Sequence, residues 1–446
     1  MTFFGALGTA VQGITAQATA IGHISDNVAN ASTIGYKQVN TLFSDLMNNK
    51  VIGDSGIIDS NKHMGVLATA DFGNRRQGSI VRDLSSTTSI AVNGDGFIPV
   101  SRATGFDATR QPTGFEDTTY YTRLGDFHLE TSNRLVNSAG FFLQAVTAQA
   151  GQTVNLNNAT PEDFVVDTRP IAAVPTTTVG YSVNLPATAL AGKEIVNGIG
   201  VIDAESNEQN FQLIWRKTAA DTWDLNINTA QATPNNFGPI TFTFANGLPT
   251  TMTTTDPNVT GVPNGAVGTT INFGVNVDYG SGAQAINIDM GTVGVIGPTS
   301  LPSLTQYAGE DREASNISIN QNGLRGGEFK YVSFEDDGRI MYNYANGRTA
   351  IGGVVMLANF REPDRLERLD GTTFTESAAS GEVAFGQPTS GNNGVGGLVT
   401  SALEQSTVDI ADQMTKLMVA QQAYSMNGQV ISAADSMLSR AVDMKR

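Results

Sequence analysis

Apolar residues recur every seven positions at both ends of this chain. At the C-terminal end Leu403, Ile410, Leu417, Tyr424, Ile431 and Leu438 keep that interval. At the N-terminal end Leu7, Ile14, Ile21 and Val28 keep it too, and Val11, Ala18 and Ile24 widen the face. A repeat of seven holds one side of a helix toward a partner. The pattern therefore predicts helices over 1–31 and 403–446 that pair as a coiled-coil-like inner module. The C-terminal stretch contains no proline, and Gly428 is its only glycine. Ser401 and Glu404 have the spacing of a capping box at its entrance. About 42 helical residues at ~1.5 Å each would make a rod of roughly 60 Å. The N-terminal helix is weaker, because Gly5, Gly8, Gly13 and Gly22 lie within it. Each costs up to ~1 kcal/mol relative to alanine, so this helix needs a docking partner to be stable.

Between the helices the period changes from seven to two. Short alternating runs such as Ile240-Thr241-Phe242-Thr243-Phe244 read as half-buried strands, and Asn93-Gly94, Asn246-Gly247 and Asn346-Gly347 read as tight turns. The expected fold class is mainly β with terminal α, its β domains discontinuous in sequence. Residues 32–70 read as an extended connector. Residues 71–145 and 309–402 share one style and are expected to form a single middle β domain. Residues 146–308 are Thr-, Asn- and Gly-rich, with no Lys or Arg between Lys217 and Arg312, and read as an inserted outer β domain.

Composition narrows the function. With 446 residues and a formal charge of −16, the chain has neither the size of a single core nor the basic surface that nucleic acid requires. It has no cysteine, which excludes disulfides and thiolate chemistry. No apolar run approaches the ~20 residues of a membrane span, so no membrane insertion is expected. The N-terminus lacks the basic-then-apolar order of a cleaved signal peptide. His23, His63 and His128 are scattered in sequence, and no zinc spacing is present. Glu335-Asp336-Asp337-Gly338 and Asn320-Gln321-Asn322-Gly323 read as hairpin turns rather than calcium loops, because neither has the downstream acidic ligand. No nucleophile elbow is present. The chain is expected to be no enzyme and to hold no metal or cofactor.

The run Asn27-Val28-Ala29-Asn30-Ala31-Ser32-Thr33-Ile34-Gly35-Tyr36-Lys37 is physically a helix exit, since Asn and Gly tolerate left-handed backbone. Its fixed polar positions Asn27, Asn30, Thr33, Gly35, Tyr36 and Lys37 also resemble the N-terminal signature of bacterial flagellar axial proteins, the rod and hook family. The run Tyr121-Thr122-Arg123-Leu124-Gly125-Asp126-Phe127, the Asn93–Phe97 turn, Ala358-Asn359-Phe360 and Leu403-Glu404-x-Ser406-x-Val408-Asp409 are similar to the same family, in its order. Thr407 and Gln422 stand where the family usually has Asn and Arg.

That resemblance covers everything except the middle insertion, and the insertion favours the hook branch over the rod branch. It implies a subunit that polymerises with copies of itself into a short curved tube. This tube would act as a universal joint, passing torque from rod to filament around an export channel. It implies rod, hook-cap and hook–filament junction proteins as partners, and extracellular delivery by the type III export apparatus without signal cleavage. The heptad residues are then the subunit interface, and Gln413, Gln421, Gln422, Asn427 and Gln429 the uncharged lining of the channel. The alternatives are a distal rod protein, or a secreted β-rich adhesin-like binding module.

Overall fold

The computed structural model describes residues 3–47, 63–148, 159–262, 267–295, 303–308, 313–388 and 395–444. It is mainly β, with one long helix near each end: α1 (Phe3–Ala29) and α2 (Ile410–Asp443). Two compact units result. One comprises residues 1–168, 331–343 and 349–446, and the other residues 169–330 with 344–348.

In the first unit α1 and α2 run antiparallel. Asn27 meets Gln413, and a Cβ on Gly13 would come within 2.8 Å of the Asn427 amide. The buried positions are Ala10, Ala16, Ala20, Ile24 and Asn27 on α1, and Gln413, Ala420 and Ala434 on α2. The expected leucine and isoleucine stripe is thus displaced from the seam. Leu7, Ile14, Ile21 and Val28 are half-buried, as are Leu417 and Ile431, while Ile410, Tyr424 and Leu438 are exposed. Alanine and glycine let the two backbones approach, and the larger residues are left on the flanks.

Leu403 is not on a helix. It lies in the strand Ala402–Glu404, which pairs antiparallel with Ile80–Arg82. Helix α2 starts seven residues later, where the Asp409 carboxylate accepts the amide hydrogens of Ala411 at 2.8 Å and Asp412 at 3.3 Å. That is N-cap chemistry, so the capping box expected at Ser401 is replaced by an N-cap at Asp409, eight residues further on.

The expected connector 32–70 is also more regular than its composition suggests. Strands β1 (Val39–Met47) and β2 (His63–Phe72) pair antiparallel, Val39 with Phe72 and Phe43 with Ala68. Residues 48–62, whose glycines suggested irregular chain, lie outside the described residues. An isolated two-stranded ribbon is marginal in water. This one is anchored on α1, where His23 Nδ1 lies 2.8 Å from Thr41 Oγ1 and Gly65 sits against Gln12.

The rest of this unit is a sheet with the strand order Thr349–Val354, Phe141–Thr147, Ile98–Phe106, Tyr120–Thr122, Thr373–Thr375 and Glu367–Arg368. Phe97, Tyr121, Phe360, Leu366 and Phe374 form a buried aromatic cluster beside it. Its rings meet edge to face, Phe97 with Phe374 at 5.6 Å and Tyr121 with Phe360 at 4.8 Å between centroids.

The second unit pairs two sheets across one apolar core. A five-stranded antiparallel meander runs from Glu194–Ile202 to Leu248–Thr254. The other sheet centres on Thr178–Asn184, which is parallel to Ala283–Thr292 and antiparallel to Ser315–Gln321. Alternate residues point inward. Phe211, Leu213 and Trp215 of one strand are fully buried with Trp223, Phe242 and Phe273. The expected insertion 146–308 therefore needs both edges moved. Phe141–Thr147 and its partner Glu162–Asp163 belong to the first unit, and Ser315–Gln321 belongs to the second.

Residues 169–330 expressed alone are expected to unfold in one cooperative thermal transition. The shorter fragment 169–308 lacks Ser315–Gln321 and should melt lower and more broadly, as scanning calorimetry would show. Equal transitions would mean that the antiparallel pairing to Thr178–Asn184 contributes nothing.

Candidate functional site

The polar motif that follows α1 folds inward. Asn30 Nδ2 donates to the Asp26 carbonyl at 2.9 Å, and Thr33 Oγ1 donates to Asn30 Oδ1 at 3.2 Å, closing the helix end locally. Gly35 then turns the chain with φ +69°, and a Cβ there would lie 3.1 Å from the Arg123 backbone. Only glycine meets both conditions without strain. Tyr36, Lys37, Gln38 and Val39 enter the interior directly after it.

Lys37 ends beside Glu404, and both side chains are 0% exposed. Lys37 Nζ donates to Glu404 Oε1 at 2.5 Å and to the Arg76 carbonyl at 2.5 Å. The Gly78 amide donates to the same carboxylate oxygen at 2.6 Å, and Arg123 Nη1 donates to Oε2 at 3.3 Å. Arg123 Nη2 reaches the Gly94 carbonyl at 2.8 Å, and its guanidinium lies 5.1 Å from the Phe97 ring centre. One carboxylate thus serves two buried cations and a backbone amide. The backbone closes the same place: the Gly35 amide donates to the Glu404 carbonyl at 2.7 Å, and the Thr407 amide to the Tyr36 carbonyl at 3.1 Å.

Burial pushes the Lys37 ammonium down to about 8, against the opposing attraction of Glu404 and with a smaller repulsion from Arg123. Burial also lowers Arg123, although a guanidinium stays charged at any working pH. Tyr36 is raised by burial, and Tyr121 is raised by the same cause to about 12.

A second knot lies one turn away. Asn27 Oδ1 accepts from the Val39 amide at 2.9 Å and from the Tyr36 hydroxyl at 3.3 Å. Its Nδ2 donates to the Val39 carbonyl at 2.8 Å and to Gln413 Oε1 at 3.1 Å. Asn27 thereby joins α1, the start of β1 and α2 with a single amide. Arg368 Nη2 donates to the Lys37 carbonyl at 2.5 Å, and its guanidinium lies 5.1 Å from the centre of the Tyr36 ring. Thr407 Oγ1 accepts from the Gln38 amide at 2.9 Å, so the threonine at this unusual position makes a contact of its own.

The structure brings Asn27, Gly35, Tyr36 and Lys37 together and leaves Asn30 and Thr33 in the turn. Glu404, Arg123 and Arg368 were not expected in the site. Their signal is the charge pattern: Lys37 follows a stretch whose only formal charge is Asp26, which suits a lysine destined for a buried partner. Two expected channel residues are corrected. Gln413 is buried and bonded to Asn27, and Asn427 packs on Gly13. Gln421, Gln422 and Gln429 are exposed on α2. Because Lys37 and Glu404 are closed to solvent, the cluster acts as a fastener that fixes the root of α1 and the approach to α2 on the β sheet.

Among the described residues no group of three or more His, Cys, Asp or Glu could hold a metal ion, and no helix is long and apolar enough to cross a membrane. The two turns read above as hairpins rather than calcium loops spend their polar groups internally. Asp337 pairs with Arg339 at 2.7 Å, and Asn322 Oδ1 accepts the Thr177 and Thr178 amides.

Residues 399–444 match the family described as Flagellar basal body rod FlgEFG protein C-terminal. The chain is 29% identical over 458 residues to the flagellar hook protein FlgE of Brucella abortus, with 100% of both chains covered. It is 27% identical over 438 residues to the flagellar hook protein FlgE of Salmonella typhimurium, covering 98% of this chain and 99% of that one. The solved flagellar hook protein FlgE2 of Helicobacter pylori aligns with TM-score 0.41 and 10% identity over 69% of this chain and 98% of that chain.

Glu404→Gln leaves Lys37 and Arg123 buried without their counter-charge. It is expected to destabilise the first unit by ~3–5 kcal/mol in denaturant unfolding. Glu382→Gln, at an exposed position, should stay within ~0.5 kcal/mol of the parent.

The pH dependence has a definite sign. The folded Lys37 value, about 8, lies below the ordinary lysine value of 10.5. Between the two, the unfolded chain holds a proton that the folded chain has released. Stability contributed through this group therefore rises with pH across that window. Lys37→Met removes this rise, so parent and variant should diverge between pH 8 and 10, the parent gaining relative to the variant. Parallel curves would contradict the assignment.

Proposed function

We infer that this chain, which belongs with the flagellar hook proteins it matches from end to end, is the structural subunit of a hook. Many copies polymerise into a short curved tube that transmits torque from rod to filament and encloses the export channel. The observation that carries this reading is the full-length likeness to hook proteins, which runs through the second unit as well as the helical ends. A rod subunit has no need of so large an insertion. An adhesin has no need of helices whose apolar faces are left open, as Val419, Met426, Val430 and Met437 are on α2.

The fastener supports the same reading. A torque-bearing subunit must not let its helices rotate against its sheet. Here the helix roots and the sheet are joined by buried charge-assisted bonds rather than by a flexible loop. A coiled-coil-like inner module would then form between copies, from faces that one copy leaves unpaired. Gln421, Gln422 and Gln429 have the exposure and uncharged polarity suited to a channel wall. Rod, hook-cap and hook–filament junction proteins would bound the tube, and the type III export apparatus would deliver the chain to the cell exterior.

Electron microscopy of polymers grown from the purified protein tests this. Curved tubes are expected, and Gln422→Asp should assemble like the parent. Straight rods would favour the rod reading, and monomers at every concentration would defeat both.

A further inference from the structure

An asparagine followed by glycine is open to attack by its own backbone, because glycine has no side chain to screen its amide nitrogen. The described residues contain Asn93-Gly94, Asn197-Gly198, Asn246-Gly247, Asn322-Gly323, Asn346-Gly347 and Asn427-Gly428. Two further pairs, Asn264-Gly265 and Asn393-Gly394, lie outside the described residues. Attack needs two freedoms at once. The side-chain amide must be able to turn back, and the glycine N–H must not be spent in a hydrogen bond.

All but one of the described pairs are held. Gln77 grips the first from both sides: its Nε2 donates to Asn93 Oδ1 at 3.2 Å, and its Oε1 accepts the Gly94 amide at 3.1 Å. Asn322 Oδ1 accepts the Thr177 and Thr178 amides, and the Gly323 amide donates to Gln321 Oε1 at 2.5 Å. Asn346 Nδ2 donates to the Arg325 carbonyl at 2.6 Å, its Oδ1 accepts the Arg348 amide at 3.0 Å, and the Gly347 amide donates to the Tyr344 carbonyl at 3.0 Å. Asn197 lies within the strand Glu194–Ile202 and donates to the Tyr181 hydroxyl at 2.5 Å. Asn427 lies inside α2, against Gly13.

Asn246-Gly247 is the exception. It forms the two-residue turn between Asn236–Ala245 and Leu248–Thr254, with φ +54° and +81°. Those two left-handed residues make the tight hairpin turn that Asn-Gly favours. Asn246 is exposed, and among the described residues neither its side chain nor the Gly247 N–H has a hydrogen-bond partner. The Gly247 carbonyl, by contrast, accepts the Gln306 amide at 2.8 Å, and the Tyr307 ring lies against Gly247. The nitrogen is therefore held in place and left unpaired beside a free amide.

We propose that Asn246 is a site of spontaneous covalent modification, where the chain converts its own asparagine to aspartate and isoaspartate. The Gly247 nitrogen gives its proton to hydroxide and bonds to Asn246 Cγ. The Cγ–Nδ2 bond breaks and ammonia leaves, closing a succinimide ring. Water then opens the ring. Cleavage at Cγ gives aspartate, and cleavage at the main-chain carbonyl gives isoaspartate. Either product puts a carboxylate into a stretch with no Lys or Arg between Lys217 and Arg312. Isoaspartate also adds a backbone carbon to the turn, which strains the Ala245–Leu248 pair and, through Gly247, the bond to Gln306. This modification does not depend on the reading of the chain as a hook subunit.

The full-length protein, folded and in denaturant, can be aged in mildly alkaline buffer and its peptides assayed by mass and by isoaspartyl methyltransferase. In the folded protein the Asn246 peptide should convert about tenfold faster than those of Asn93, Asn322 and Asn346, the factor that ~1.4 kcal/mol of holding bonds supplies. In denaturant the four rates should converge. Equal rates in the folded protein, or earlier conversion at Asn93, Asn322 or Asn346, overturn the proposal. Gln77→Ala, at an exposed position, should raise conversion at Asn93 toward the rate at Asn246. No rise would mean that these hydrogen bonds do not protect the pair, and the proposal fails.

Discussion

The carboxylate of Glu404 is the group on which the first unit depends. It is fully buried and holds Lys37 from the turn after α1, Arg123 from the sheet and the Gly78 amide from the segment between them. Taking three ions from water is costly, and here their mutual attraction is supplemented by one backbone carbonyl for each cation, while Arg123 Nε is buried without a partner. Lys37 also reaches Arg76, and Arg123 reaches Gly94. A set of bonds so specific has one arrangement. It fixes where α1 leaves the sheet, and it holds the strand whose chain leads six residues later into α2.

This constraint explains the division of labour along the chain. The helices need not stabilise one another by a leucine seam, because their roots are held at Glu404 and at Asn27. Their contact can then be made of alanine, glycine and amides, and larger apolar residues such as Val419, Met426 and Met437 stay exposed in the single chain. The second unit carries its own core around Trp215 and Trp223 and takes no part in the fastener. A hook subunit asks for such a split, with a stiff link between helix and sheet and its polymer contacts elsewhere.

Much of this was legible in the sequence. The two long helices, the β interior, the discontinuous domains and the signature Asn27 to Lys37 all followed from period, turn chemistry and motif. What failed did so for identifiable reasons. A heptad count weighs leucine above alanine, so it marked Leu417 and Ile431 as the seam and overlooked Ala420 and Ala434. Ser401 and Glu404 had capping-box spacing, but the strand pairing of Ala402–Glu404 with Ile80–Arg82 displaced the helix start to Ile410. Gln413 looked like a solvent-facing amide because its partner, Asn27, is distant in sequence. The Lys37–Glu404–Arg123 cluster joins three remote segments, and no local pattern reveals which carboxylate a buried lysine will find.

The central claim is that Lys37 and Glu404 act as one buried unit. A double-mutant cycle of Lys37→Met and Glu404→Gln, read as unfolding free energies in denaturant, tests it most directly. A coupling of ~1–3 kcal/mol is expected, with the double variant losing clearly less than the sum of the single losses. Losses that add to within ~0.5 kcal/mol would show two independent groups and contradict the account.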